Sequence, residues 1–226
     1  MKQTIRNFLV FALGTASCWA TTVGTLHNTG AGAASAGLAD TNWVVRQGAD
    51  PFVSAFETNM TGGAFPSPHW FANDATSQWI SPKANYAGNP VGFDADGVWE
   101  YRTTFDLTGF ILGSVTIQYR LAVDNRFDGY SLNGGAVVNT DAWSSLSGFS
   151  GFFNLNTAGL VQGVNTLSFF VYNTPQDPDP GNPGGLRVEF NANGDLAPPP
   201  GPVPEPATFA LMGAGLVGLA LIRRRK

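Results

Sequence analysis

Asp124, Asn125 and Asn133 are the polar side chains best spaced for chemistry in this chain. They bracket a short strand-like stretch. At its ends a carboxylate and two amides could face sugar hydroxyls or a cation, if the ends meet at one rim. The same residue types also make tight turns unaided, because Asp and Asn tolerate left-handed backbone and hydrogen-bond their own main chain. Trp70, Trp79 and Trp143 offer a second chemistry. An exposed indole stacks against the C–H face of a pyranose, whereas a buried one fills a core. Asp94-Ala95-Asp96-Gly97, and Asp177 with Asp179 in the loop 174–184, are the stretches that bear on calcium. A calcium site wants about six to eight oxygens in a spaced array. Neither stretch has that spacing, so no cofactor is expected and any metal is left unassigned. A turn and a stiff Pro-rich loop are the plainer expectation.

Catalysis finds little support. No Gly-x-Ser-x-Gly elbow, His-Glu-x-x-His helix or phosphate loop occurs. The histidines are His27 and His69, and the glutamates before the C-terminal tail are Glu57, Glu100 and Glu189. A glycosidase needs two facing carboxylates at a set separation. Glu100 and Glu189 fall on the polar positions of strands, where a solvated carboxylate is the default. No catalytic residue is expected, and a secreted glycan-active hydrolase is the distant alternative.

The elements that position these residues are β-strands. Trp99, Tyr101, Phe105 and Leu107 alternate with polar residues. So do Val115, Ile117, Tyr119, Leu121 and Val123, and so do Leu186, Val188 and Phe190. A period of two with one wet face predicts antiparallel strands. From Phe169 the segment 167–172 is apolar on both faces and predicts a central strand. Gly and Pro clusters separate the strands, and no helical period appears between residues 40 and 196. The expected fold is all-β, a two-sheet antiparallel sandwich. The order of Asp124-Asn125 turn, strand ending in Asn133-Gly134, Gly163-Val164-Asn165 turn, long strand and last strand resembles the galactose-binding-like jelly roll over residues 41–192. That resemblance implies a carbohydrate-binding-like domain, in a family whose members often hold a structural calcium.

The ends are addresses. Lys2 and Arg6 precede the apolar stretch Phe8–Leu13 and small residues up to Ala20, which predicts a signal peptide over 1–20. Thr15 three residues before Cys18 departs from a lipoprotein signal. Cys18, the only cysteine, then leaves with that peptide, so the exported domain has no disulfide. Residues 21–40, rich in Gly, Ala and Thr, read as a loose leader. The sandwich is expected over 41–196 and a stiff Pro-rich linker over 197–202. Between the two terminal segments stand six basic and fifteen acidic residues, a net charge of −9. That excludes nucleic-acid binding through phosphates, which needs clustered Lys and Arg.

The tail 203–226 joins Val203-Pro204-Glu205-Pro206 to an uncharged run from Ala207 to Ile222 and then Arg223-Arg224-Arg225-Lys226. The run would extend roughly 24 Å as a helix, a little short of the ~30 Å hydrocarbon core. Snorkelling of Arg223 lengthens its reach. The terminal cations should stay cytoplasmic and leave the domain outside. Prolines on either side of Glu205 keep that segment extended and open to a processing enzyme. A plain single-pass anchor is the simpler alternative. These three parts in this order resemble the PEP-CTERM sorting signal of Gram-negative bacteria. The resemblance implies recognition and cleavage by an exosortase-type membrane enzyme, in proteins that accompany exopolysaccharide production. The expected role is an exported, non-catalytic protein. It would begin as an inner-membrane-anchored precursor, with a transmembrane helix over 207–222. It would end at the cell surface or in a biofilm matrix, in contact with polysaccharide. A purely structural or adhesive matrix protein without a defined ligand is the alternative.

Overall fold

Alternating apolar residues build ten strands in the computed structural model, which describes residues 20–33, 35–60, 69–86, 94–139, 143–174 and 182–198. They are β1 (Ala20–Thr22), β2 (Ala39–Gln47), β3 (Val53–Glu57), β4 (Ile80–Ser81) and β5 (Gly97–Asp106), followed by β6 (Thr116–Asp124), β7 (Arg126–Leu132), β8 (Phe153–Asn154), β9 (Val164–Asn173) and β10 (Gly185–Asp195). Every pairing is antiparallel. The only helical pieces among the described residues are 3-10 turns at Leu112–Ser114 and Thr157–Gly159. Residues 1–19 of the expected signal peptide and the membrane helix expected at 207–222 lie outside the described residues, whereas Ala20, the last residue of that peptide, begins β1. Among the described residues no helix is long and apolar enough to cross a membrane.

The strands run β7-β9-β5-β2-β3-β4-β10-β6-β8, with β1 on the side of β10. The two expected sheets are therefore one, joined through the short strand β4 between β3 and β10, and the whole is a half-barrel. Its two walls still face each other. Trp43 of β2 stacks on Phe190 of β10 with ring centroids 6.3 Å apart, and Tyr119 of β6 meets the edge of Phe169 of β9 at 5.4 Å. The alternating residues Tyr101, Phe105, Ile117, Tyr119, Leu121, Val123, Leu186 and Val188 all lie in this core. β9 is central, as its apolar run predicts, between β7 and β5.

Two expectations need correction. The stretch 21–40 is no loose leader. β1 pairs Ala20 with Asp195 and Thr22 with Asn193, Val23 and Leu26 enter the core, and the Thr29 N–H donates to the Val188 carbonyl at 3.1 Å. Asp40, which is buried, accepts the Gly30 and Asn42 N–H groups at 2.7 and 2.8 Å. Main-chain and capping hydrogen bonds order a segment whose small side chains suggest none. The polar face of β10 is also not wet at its first half, and only Asn191 farther along is exposed. Arg187 and Glu189 are buried because residues 69–79 and Phe149 lie across them.

Candidate functional site

The β6–β7 corner is built by a turn of minimal length. β6 ends at Asp124, Asn125 follows through a cis peptide bond, and β7 begins at Arg126. Asn125 accepts the Thr174 N–H on Oδ1 at 2.7 Å and donates from Nδ2 to Asp124 Oδ1 at 2.6 Å. Asp124 Oδ2 accepts the indole N–H of Trp70 at 2.7 Å. Trp70 lies on Trp79 with ring centroids 4.5 Å apart and meets the edge of Tyr86. Gly185 makes this possible, since a Cβ there would stand 2.3 Å from Trp70 Cη2. Trp79 donates its own N–H to the Phe71 carbonyl at 3.0 Å.

These contacts decide the aromatic platform. Trp70 and Trp79 are 2% and 0% exposed and form a second apolar cluster with Tyr86 and Ala122 on the outer side of β6. Trp143 is half-buried against the main core, bridged to Phe127 of β7, and its indole N–H meets no acceptor. Neither Trp70 nor Trp79 presents a face to a sugar. They are wall material, as large aromatics usually are.

The polar trio does not converge either. Asn125 and Asn133 stand at opposite ends of β7, roughly 25 Å apart by strand rise. Asn133 has φ 51° and ties the far end by accepting the Thr166 N–H at 2.7 Å and donating to the Gly159 carbonyl and Asn165 Oδ1. It is a turn residue in the left-handed region.

The chain instead gathers around Asp124 polar residues from several segments, Asp94 of the 94–97 stretch among them. Asp94 is buried beside the start of β10 and accepts the Gly184 N–H at 2.9 Å and the Tyr86 hydroxyl, both on Oδ2. Asn173, at the end of β9, donates to the carbonyls of Asp94, Ala95 and Asn182 at 3.0, 3.2 and 3.1 Å. Asn182 donates to Asn125 Oδ1 at 3.4 Å. Burial pushes the Asp124 carboxyl up to about 6, against the opposing hydrogen bond from Trp70. Burial raises Asp94 as well, opposed by the Tyr86 hydroxyl. Burial raises the Tyr86 phenol far above its ordinary range, and the neighbouring Asp94 charge adds to that. These groups are buried or half-buried. Their hydrogen bonds tie the loops before β5 and β10 to the end of β9.

Glu100 and Glu189 are buried, not solvated. Glu100 bonds Arg46, Arg102 and Ser168, and both arginines sit over the Phe52 ring at 4.3 and 4.0 Å. Burial pushes Glu100 up, but the hydrogen bonds from Ser168 and the two arginines outweigh it and hold the carboxyl below its ordinary value. Glu189 pairs with Arg120 and accepts the Ser77 hydroxyl. Among the described residues both glutamates are held by arginine and serine partners. Among the described residues no group of three or more His, Cys, Asp or Glu is placed to hold a metal.

The remaining expected functional segment is the tail. Val203, Pro204, Glu205 and Pro206, and the basic stop Arg223 to Lys226, lie outside the described residues. Compared with protein families, residues 202–226 match the PEP-CTERM protein-sorting motif. The chain carries a PEP-CTERM sorting signal. No curated protein and no solved structure matches the chain. The PEP-CTERM match covers the acidic tetrapeptide, the apolar run and the basic stop together. It marks an exported protein sorted to the envelope through an exosortase.

Proposed function

We propose that this protein is an exported, non-catalytic envelope component whose β-domain is released to the cell surface or matrix when its PEP-CTERM tail is removed. The match at residues 202–226 carries this proposal. The apolar run 207–222 acts as a temporary inner-membrane anchor, and Glu205 between its prolines is the feature the processing enzyme reads. The structure supports a scaffold role over a sugar platform, because Trp70 and Trp79 are spent on the outer cluster. Contact with exopolysaccharide would then run through the acidic surface and the loops rather than through stacked indoles. The galactose-binding-like jelly roll agrees with the all-antiparallel order of strands and adds no ligand to it.

Replacing Glu205 with Ala tests the sorting half. The variant should insert in the membrane as before and accumulate with its tail attached, read as a heavier band in the membrane fraction. Normal tail removal from Glu205→Ala would defeat the assigned role of this residue.

A further inference from the structure

The end of the half-barrel where the chain enters and leaves is apolar. Ala20, where β1 begins, and Asp195, where β10 ends, are direct partners. β5 ends here and β9 begins, with Asp106 opposite Val164. The segment leading to β6 crosses the same end. Its Ile111 N–H donates to the Asp195 carbonyl at 2.8 Å, and its Phe110 bridges Leu196. The Leu107 N–H donates to the Gly163 carbonyl at 2.9 Å, and Gln162 Nε2 to the Phe110 carbonyl at 2.6 Å. These bonds bring Ile111, Val161, Val164 and Leu196 to one rim, where they are 41%, 47%, 67% and 45% exposed. Nine large hydrophobic side chains are exposed among the described residues, and four of them stand on this rim. Scattered exposed valines need no partner, but a group gathered at one end does.

What covers the rim follows from where the chain goes. Ten residues, 197–206, separate Leu196 from the uncharged run that starts at Ala207. Even extended they reach no more than about 31 Å. Six residues, 14–19, separate the apolar stretch Phe8–Leu13 from Ala20. They reach about 21 Å at most, until the signal peptide is removed. Both tethers start from the rim, which is therefore the part of the domain held nearest to lipid, at an effective concentration on the order of millimolar. Given the anchor reading of the tail, on which this rests, we propose that the rim sits on the membrane surface while the tail is attached. Ile111, Val161, Val164 and Leu196 seat at the boundary of headgroups and acyl chains. The carboxylates of Asp106 and Asp195 end their strands here, which favours neutral phospholipid over anionic lipid. Removal of the tail ends the tethering, and four aliphatic side chains alone bind too weakly to keep the domain there.

Fluorescence quenching of the full chain in phosphatidylcholine nanodiscs, at one chain per disc, tests the rim. Cys18→Ser makes an added cysteine the single thiol. An environment-sensitive fluorophore is placed at Val164→Cys or Ile111→Cys on the rim, and at Val98→Cys or Val53→Cys for comparison. Val98 pairs with Tyr172 at the opposite end of β9, roughly 27 Å from Val164 by strand rise. Val53 pairs with Val45, beside Tyr101, partway up the wall. Lipid spin-labelled near its headgroup should quench the two rim labels at least about twofold more than the other two, and aqueous iodide should do the reverse. Val161→Asp with Leu196→Asp should bring the Val164→Cys label down to the wall value. Unchanged quenching in that variant would show that the fluorophore and not the rim seeks lipid, and would overturn the proposal. Protection from iodide without lipid quenching would show protein on the rim and would overturn it too. Equal lipid quenching at all four positions, in a chain that still co-elutes with the discs, would remove the rim contact and leave the anchor standing. A chain that elutes free of the discs would sink the anchor reading, and the rim contact with it.

Discussion

Replacing Asp124 with Asn should change how stability depends on pH. Asp124 is buried, and its folded carboxyl sits at about 6 against an ordinary 3.8. The folded state therefore holds the proton more tightly than the unfolded chain. The resulting stabilisation is fully present below pH 3.8 and lost as pH rises through about 6. Above that, the ionised carboxylate lowers stability by roughly 3 kcal/mol relative to the protonated form. Asn keeps an oxygen to accept the Trp70 N–H but turns a donor toward Asn125 Nδ2. Asn125 cannot reverse its amide, because its Oδ1 accepts the Thr174 N–H. That conflict costs about 1–3 kcal/mol at every pH. At pH 7.5 the two effects nearly cancel, so a single measurement at neutral pH would show little. The decisive quantity is the difference between the two proteins in urea unfolding, measured from pH 4 to 7.5. The variant should gain on the wild type by roughly 2.5 kcal/mol across that range, since at pH 4 the unfolded carboxyl is already more than half ionised. Parallel curves would refute the assignment of a raised carboxyl to Asp124.

Gly185→Ala drives a methyl into Trp70 at 2.3 Å and should destabilise by about 1–3 kcal/mol, with a shift in tryptophan emission as the Trp70–Trp79 pair moves. Stability unchanged to within 0.5 kcal/mol would show that the outer cluster yields more easily than its packing implies. Arg187→Ala removes a guanidinium stacked on Phe71 and Phe149 and bonded to Ser77 and Ala72, and should cost about 2–4 kcal/mol in chemical denaturation. Arg187→Met keeps the packed stem and should recover part of that loss.

The inward faces of β5, β6 and β10 were readable because a period of two is a local property, and Tyr101, Tyr119, Leu121 and Val188 fall where it puts them. The outward faces were not. Arg187 and Glu189 look like solvent residues from their own strand, and what buries them is a segment without periodicity about a hundred residues earlier. Asp94 was visible as part of an acidic turn, but its partners were hidden for the same reason, since they come from the end of β9 and the approach to β10. The separation of Asn125 from Asn133 could have been found by counting. The seven-residue strand β7 carries the chain from one end of the half-barrel to the other. The order of residues 21–40 was obscured by small side chains, because main-chain bonds to β10 leave no mark in composition. The tail was legible because sorting is read from sequence itself, one greasy stretch between an acidic turn and a basic stop.

Intact-mass measurement of the protein recovered from the envelope and medium of the producing cell tests the central claim most directly. A β-domain lacking both the N-terminal apolar segment and the residues after the PEP-CTERM tetrapeptide is the expected species. A full 226-residue chain recovered from the cytosol would contradict export and sorting together.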